Sequence, residues 1–214
     1  MTAKLGPLIL RAAGALGADL SEPVQAALQV WLEQLEEWNA QIDLTAARSP
    51  EELVDLMLAD AIVLSARIPR DARVVDVGTG AGAPGLALAI LRDDLRVTLV
   101  EPLAKRVSFL RAVLGALGRA DIALERAKAS APRSPLSAPL AGRRAWDVAI
   151  SRATLPPPEW LEAGTTLAVP GGVVWVLLAK GVPPAHPRAV LEADHAYAWP
   201  LTGAERRAVS YRVG

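Results

Sequence analysis

Cysteine is absent from the 214-residue chain, which excludes a disulfide framework, a thiolate metal site and a cysteine nucleophile. Long apolar runs are missing too. None approaches the roughly 18 uninterrupted residues that a membrane span needs. The opening Met1-Thr-Ala-Lys-Leu-Gly-Pro7 lacks the apolar heart of a secretory leader, so a cytoplasmic location is expected. Histidine is scarce: His186 and His195 are the two present, both in the C-terminal third, and each reads as a surface or edge residue before a catalyst. Neither sign of charge is in excess. With 23 basic and 23 acidic side chains, a nucleic-acid partner would need a local basic face, because overall attraction is missing. What remains is 52% apolar and 21% charged, the balance of a globular chain long enough for one domain with an appendage.

The most informative stretch is Val74–Leu88, V-V-D-V-G-T-G-A-G-A-P-G-L-A-L. An apolar strand runs into Asp76, then into a loop with Gly78, Gly80 and Gly82, then into a helix opened by Pro84 and Gly85. Glycines at this spacing let the backbone turn sharply and bring N–H groups toward a ligand at the positive end of the helix. Gly80 to Gly85 spells G-x-G-x-x-G, and Glu101 follows at the distance of a ribose-binding acid, which suits a nicotinamide dinucleotide. The full pattern is D-x-G-x-G-x-G, however, with Asp76-Val-Gly78-Thr ahead of that motif. S-adenosylmethionine (SAM) has no pyrophosphate but carries a cationic amino group and a sulfonium, so an acid at the strand end favours it. A βα turn with no ligand is the third reading.

Residues 1–70 read as a helical extension, and 71–214 as the domain built on the loop. Ala27, Leu28, Trp31, Leu32, Leu35 and Trp38 recur at helical spacing after Ser21-Glu-Pro23, an amphipathic helix whose tryptophans read as core. Ser49-Pro50-Glu51-Glu52 is a capping box that opens a second helix to about residue 66. From Arg73 strands alternate with helices, implying a mostly parallel, doubly wound sheet. The expected order is strand 73–77, helix 84–93, strand 97–101, helix 103–117, strand 121–126, a Pro/Ser/Ala-rich loop over 127–143, and strand 146–151. Helix 156–167, a turn at 170–172, strand 173–179 and helix 187–193 follow. Segments 195–200 and 205–213 then form an edge hairpin.

Several segments together resemble one family, the ribosomal small-subunit methyltransferase G family, also called glucose-inhibited division protein B. They are Trp38-Asn39 with Asp43-Leu-Thr45, Val75 to Gly85, Val97-Thr-Leu-Val-Glu101 with Lys105-Arg-Val-Ser-Phe-Leu110, Asp147 to Ala153, Pro170-Gly-Gly172 and Lys180-Gly181. They lie in order between about residues 20 and 182. The resemblance implies a class I SAM-dependent methyltransferase, Rossmann-like and seven-stranded with an N-terminal helical extension. Its implied reaction is methylation of guanine N7 in small-subunit (16S) rRNA. By position it implies cofactor contacts from Gly78, Ala83, Glu101, Ala127, Lys128 and Arg152, which join Asp76, Gly80 and Gly82. Ala83 stands where the family carries a bulky apolar residue, Lys128 where it carries an acid, and Asp43 where it carries Asn. Leu56-Met57-Leu-Ala-Asp60-Ala61 replaces a Lys-His…Asp-Ser pattern.

Guanine N7 has an in-plane lone pair and no proton, so its methylation needs alignment and no general base. The lack of cysteine excludes covalent-cysteine methylation of pyrimidine C5, and Ser151-Arg-Ala153 lacks the Asn/Asp-Pro-Pro-aromatic signature of amine methylation. Arg152, at the carboxyl end of the fourth strand, is the candidate catalytic residue, with a structural salt bridge as its plainer role. Glu101 either accepts the ribose hydroxyls or caps the helix after it. Lys180 sits on the same rim. Arg67, Arg70, Arg73, Arg143 and Arg144 are the candidates for local positive charge. The expected partner is small-subunit rRNA or the assembled 30S particle, met by a monomer with no metal and no membrane. The alternatives are a relative that methylates another RNA or a small molecule, or one that binds SAM with weak or no turnover.

Overall fold

The computed structural model describes residues 5–127 and 144–214. Helices α1 (Leu5–Ala15) and α2 (Glu22–Asn39) come first, then α3 (Pro50–Val54), a π-helical turn (Asp55–Ala59) and α4 (Asp60–Ser65). The expected cap is present at α3: the Ser49 hydroxyl accepts the Glu52 N–H at 3.1 Å, while the Glu52 carboxylate reaches back to the N–H of Arg48 at 2.8 Å. The remainder runs β1 (Arg73–Val77), α5 (Gly85–Leu91), β2 (Arg96–Val100), α6 (Ala104–Ala116), β3 (Ala123–Glu125), β4 (Trp146–Ser151), α7 (Pro157–Leu167), β5 (Ala168–Leu178), β6 (Ala189–Ala198) and β7 (Glu205–Val213). Among the described residues no helix is long and apolar enough to cross a membrane.

Seven strands form one sheet in the order β3-β2-β1-β4-β5-β7-β6. Strands β1 to β5 pair in parallel, and β7 runs antiparallel between β5 and β6. Alternation along β1 divides the core. Val74 joins the apolar cluster that also holds Leu5, Ile9, Trp31, Leu35, Leu58, Leu86 and Phe109. Val75 and Val77 face the other way, into the cluster with Trp160, Leu161 and Tyr211. The N-terminal helices and one face of the sheet therefore share a core, and Asp76, in step with Val74, points to that face. Trp38 stacks edge-on against Phe109 with centroids 5.7 Å apart, a packing role.

Two boundaries differ from the sequence reading. Residues 187–193 are not a helix, because β6 begins at Ala189 and pairs along β7 to Ala198. Strands β5 and β6 point the same way, so residues 179–188 must return the whole length of a strand. Ten extended residues cover about 33 Å, whereas ten helical ones cover about 15 Å. Strand β5 also starts at Ala168, earlier than expected, and passes through Pro170-Gly-Gly172 with a register shift against β4. The edge hairpin is present, as β6 and β7.

Candidate active site

The chain leaves β1 at Val77 and turns through Gly78–Pro84 into α5. Gly78 has φ +75°, and a Cβ there would lie 2.0 Å from the Thr154 hydroxyl, so the turn excludes any side chain. Gly80, at φ +63°, meets nothing closer than 3.9 Å and marks the open side. Behind the loop, the Trp31 indole N–H on α2 donates to the Ala81 carbonyl at 3.0 Å. The helical extension thus braces the loop through a tryptophan that is itself fully buried.

The loop is not the cradle of free N–H groups that its glycines suggest. Gly78 and Thr79 both donate to the Val100 carbonyl, and Gly82 donates to that of Thr79. Gly80 donates to Glu101 at 3.0 Å, and Gly85, the first residue of α5, donates to Asp76 at 2.8 Å. A pyrophosphate would find these five donors taken and a carboxylate at the helix start, which removes the basis of dinucleotide binding.

Asp76 is fully buried. Its Oδ2 accepts from Gly85, whereas Oδ1 and the neighbouring Thr79 hydroxyl are buried and neither meets hydrogen-bond geometry; the hydroxyl acts on the acid only as a weak dipole. Burial pushes the Asp76 carboxyl up to about 6, with Glu101 adding to the rise and the Thr79 hydroxyl, the Gly85 amide and the Arg152 charge opposing it. An acid held this way lacks a cationic partner. The amino group and sulfonium of SAM supply one, so the residues fit that cofactor.

Glu101 follows β2, 1% exposed. Besides Gly80 it accepts the Leu103 N–H at 2.9 Å, and Arg106 stands 3.9 Å away. The capping role is thus present, and each oxygen keeps a second lone pair. Ala83 and Ala127 are both buried, Ala83 on the helical side and Ala127 against the α7 side. Lys128 and Arg143 lie outside the described residues.

Arg152 follows β4, where the Ser151 hydroxyl ties the strand end to the Val77 carbonyl at 2.8 Å. Its Nη1 donates to Asp60 Oδ2 at 3.0 Å and to the Leu56 carbonyl. Lys180, just past β5, is exposed on the same carboxyl-end rim, beside Arg206, whose guanidinium lies 3.7 Å over the Trp199 ring. Arg67, Arg70 and Arg73 collect instead toward the amino end of β1. There Arg73 pairs with Asp147 at 2.8 Å, away from the glycine loop; Arg144 precedes β4 at the same end. Sequence reasoning gave no role to Asp60, Tyr197 or Trp199, which meet beside Arg152. The signal available was two of the chain's nine aromatic residues close together in the edge hairpin.

A groove of about 790 Å³ lies between α2 and residues 40–53, lined by Glu33, Glu36 and Glu37. Arg48 and the apolar Val30, Ala47 and Leu53 also line it, and it lies away from the glycine loop.

A family model described as rRNA small subunit methyltransferase G matches residues 24–193. The chain belongs to that family. A ribosomal RNA small subunit methyltransferase G of Myxococcus xanthus (strain DK1622) is 32% identical over 200 residues, covering 90% of each chain. One of Anaeromyxobacter dehalogenans (strain 2CP-1) is 35% identical over 179 residues, 84% of this chain and 79% of that one. Among solved structures, a SAM dependent methyltransferase from Aquifex aeolicus superposes with TM-score 0.54 at 14% identity, over 86% of this chain and 98% of that one. A methyltransferase from Pyrococcus furiosus gives 0.53 at 16%, over 89% and 98%. Together with the strand order they show the class I, Rossmann-like methyltransferase fold, as the sequence implied.

Proposed function

We propose that this member of the family transfers a methyl group from SAM to N7 of a guanine in small-subunit rRNA. The observation that carries the reading is Asp76: a buried carboxylate at the end of β1 with one oxygen unfilled, beside a loop whose amides are already taken. That oxygen receives the cofactor's amino group. Glu101 accepts the ribose hydroxyls through its remaining lone pairs, the backbone at Gly78, Gly80 and Gly82 forms the floor, and Ala83 with Ala127 flanks the adenine. SAM brings the methyl group already activated on a sulfonium. The protein's task is to hold the guanine so that N7, carbon and sulfur align, an effect of orientation that needs no general base. Arg152 orients the guanine edge or a phosphate at the mouth of the cleft.

Charge supports an RNA substrate once its distribution is considered. Residues 1–70 carry ten acidic and five basic side chains, and residues 71–214 carry thirteen and eighteen. The zero net charge hides a basic methyltransferase part, 71–214 in our division, behind an acidic helical extension. RNA approaches the former. On this reading the enzyme works in the cytoplasm, as a monomer, on the rRNA or the assembled small subunit.

The test is incubation with labelled SAM and small subunits that lack the modification, followed by mapping of the labelled base. Label at a guanine N7 is expected; label confined to small molecules or to another base would end the assignment. Calorimetry with SAM and NAD tests the cofactor separately, with binding of SAM alone expected.

A further inference from the structure

We propose that Asp60 is a positioning residue for methyl transfer, fixing the Arg152 guanidinium at the mouth of the cleft and linking it to the β6–β7 hairpin. The inference deepens the reading of Arg152 given above and rests on it. Asp60 opens α4 directly after the π-helical turn and is 2% exposed. Three side chains, from the end of β4 and from the hairpin, converge on its carboxylate. Oδ2 accepts Arg152 Nη1 at 3.0 Å; Oδ1 accepts the Tyr197 hydroxyl at 2.7 Å and the Trp199 indole N–H at 3.0 Å. The π turn interrupts the ordinary helical ladder, and the Leu56 carbonyl within it takes a second bond from the same Arg152 nitrogen. Arg152 is therefore held by one nitrogen. Its Nε and Nη2 have no acceptor among the described residues, and these donors remain for substrate.

The arrangement does more than neutralise a charge. A guanidinium on a long side chain has many rotamers, and fixing one before substrate arrives removes an entropic cost from the reaction. Asp60 also gives Arg152 a carboxylate other than Asp76, whose acid it already influences through space. Tyr197 and Trp199 fix Asp60 in turn, and Trp199 carries Arg206 on its ring face. One buried carboxylate thus sets two arginines on the rim, Arg152 directly and Arg206 through Trp199.

The experiment is a double-mutant cycle with Asp60→Asn and Arg152→Ala, measured as kcat for labelled small subunits at a temperature where every variant is folded. Asp60→Asn is expected to lower kcat about ten-fold while leaving SAM affinity within about two-fold, and to have no further effect in the Arg152→Ala background, because both act through one guanidinium. A purely structural Asp60 would give additive losses, which would overturn the proposal. Normal kcat in Asp60→Asn alongside an inactive Arg152→Ala would sink the positioning role and leave Arg152 standing; a fully active Arg152→Ala would sink the reading of Arg152 itself. Should Asp60→Asn fail to fold, Tyr197→Phe removes one hydroxyl from the same carboxylate. It is expected to lower kcat about three-fold in the wild-type background and not at all with Arg152→Ala; additive losses there overturn the proposal equally.

Discussion

The helical extension and the cleft each bury aspartates, and they treat them in opposite ways. Asp55, in the π turn, receives the Leu201 N–H, the Thr202 N–H and the Thr202 hydroxyl, the last two at 2.8 Å. Asp60 receives Arg152, Tyr197 and Trp199. Asp76 is as deeply buried, yet among the described residues it receives a single backbone N–H, on Oδ2, and Oδ1 has no hydrogen-bond partner. Residue type and burial are the same in the two regions; what differs is filled against spare hydrogen-bonding capacity. A filled carboxylate fastens distant parts of the chain together, and a spare one at the carboxyl end of a central strand is the group we propose for the ligand.

The contrast breaks first if Asp55 is removed. Asp55→Ala strands two backbone N–H groups and a hydroxyl, at about 1–3 kcal/mol for each unsatisfied group, so a loss of about 4 kcal/mol is expected in denaturant unfolding. No change would mean that the carboxylate fastens nothing. Asp76→Asn should have the opposite sign. The folded-state value of about 6 lies well above the ordinary aspartate value of 3.8, so folding favours the protonated acid. That contribution is complete below about pH 4 and is lost as pH rises through 6. In the absence of cofactor at pH 7.5, Asp76→Asn should therefore be more stable than wild type by about 2–3 kcal/mol. It should also bind SAM about 100-fold more weakly. Wild-type affinity should fall about ten-fold per unit of pH below 6, as protonation removes the charge. Calorimetry from pH 5 to 8 checks both, and a flat profile would show that Asp76 does not hold the cation.

How much of this was legible follows the range of the interactions. The glycine loop, β1, β4, α2 and the Ser49 cap are set by chemistry within a few residues, and the sequence reading places them within a residue or two. The destination of the loop's amides was not legible, because Val100 and Glu101 accept them from the neighbouring strand. Residues 187–193 read as a helix because Pro187 and the following Ala, Leu and Glu are good formers, and the open edge of β7 overrode that local preference. The Asp60 cluster joins positions 92 to 139 apart in sequence, beyond any periodicity. Asp60 stood in the stretch Leu56–Ala61 and drew attention only because its neighbours depart from the family pattern.

A smaller effect is expected at Glu101, which lies between the two extremes with one backbone bond on each oxygen. Glu101→Gln keeps one acceptor and turns the other into a donor, so the cap survives in part and the ribose contact weakens. SAM affinity should fall about ten-fold, the worth of one charge-assisted hydrogen bond. Equal affinity for SAM and its 2′,3′-dideoxyribose analogue in the wild type would show that the acid serves the helix alone.

The smallest effects sort the arginines by the same rule. The Arg73 guanidinium is engaged by both oxygens of Asp147 at 2.8 and 3.0 Å, at the amino end of β1. Among the described residues Arg206 bonds the adjacent Glu205 carbonyl alone and rests on Trp199, at the carboxyl-end rim. Arg206→Ala should therefore weaken rRNA binding about three-fold and reduce its salt slope by about one. Arg73→Ala should change neither, since an exposed ion pair contributes little and this one lies at the end remote from the cleft. Titrating both variants between low and moderate salt decides the matter. If Arg73→Ala lowers the slope as much as Arg206→Ala does, RNA wraps both ends of the sheet, and filled capacity is no guide to which cations meet it.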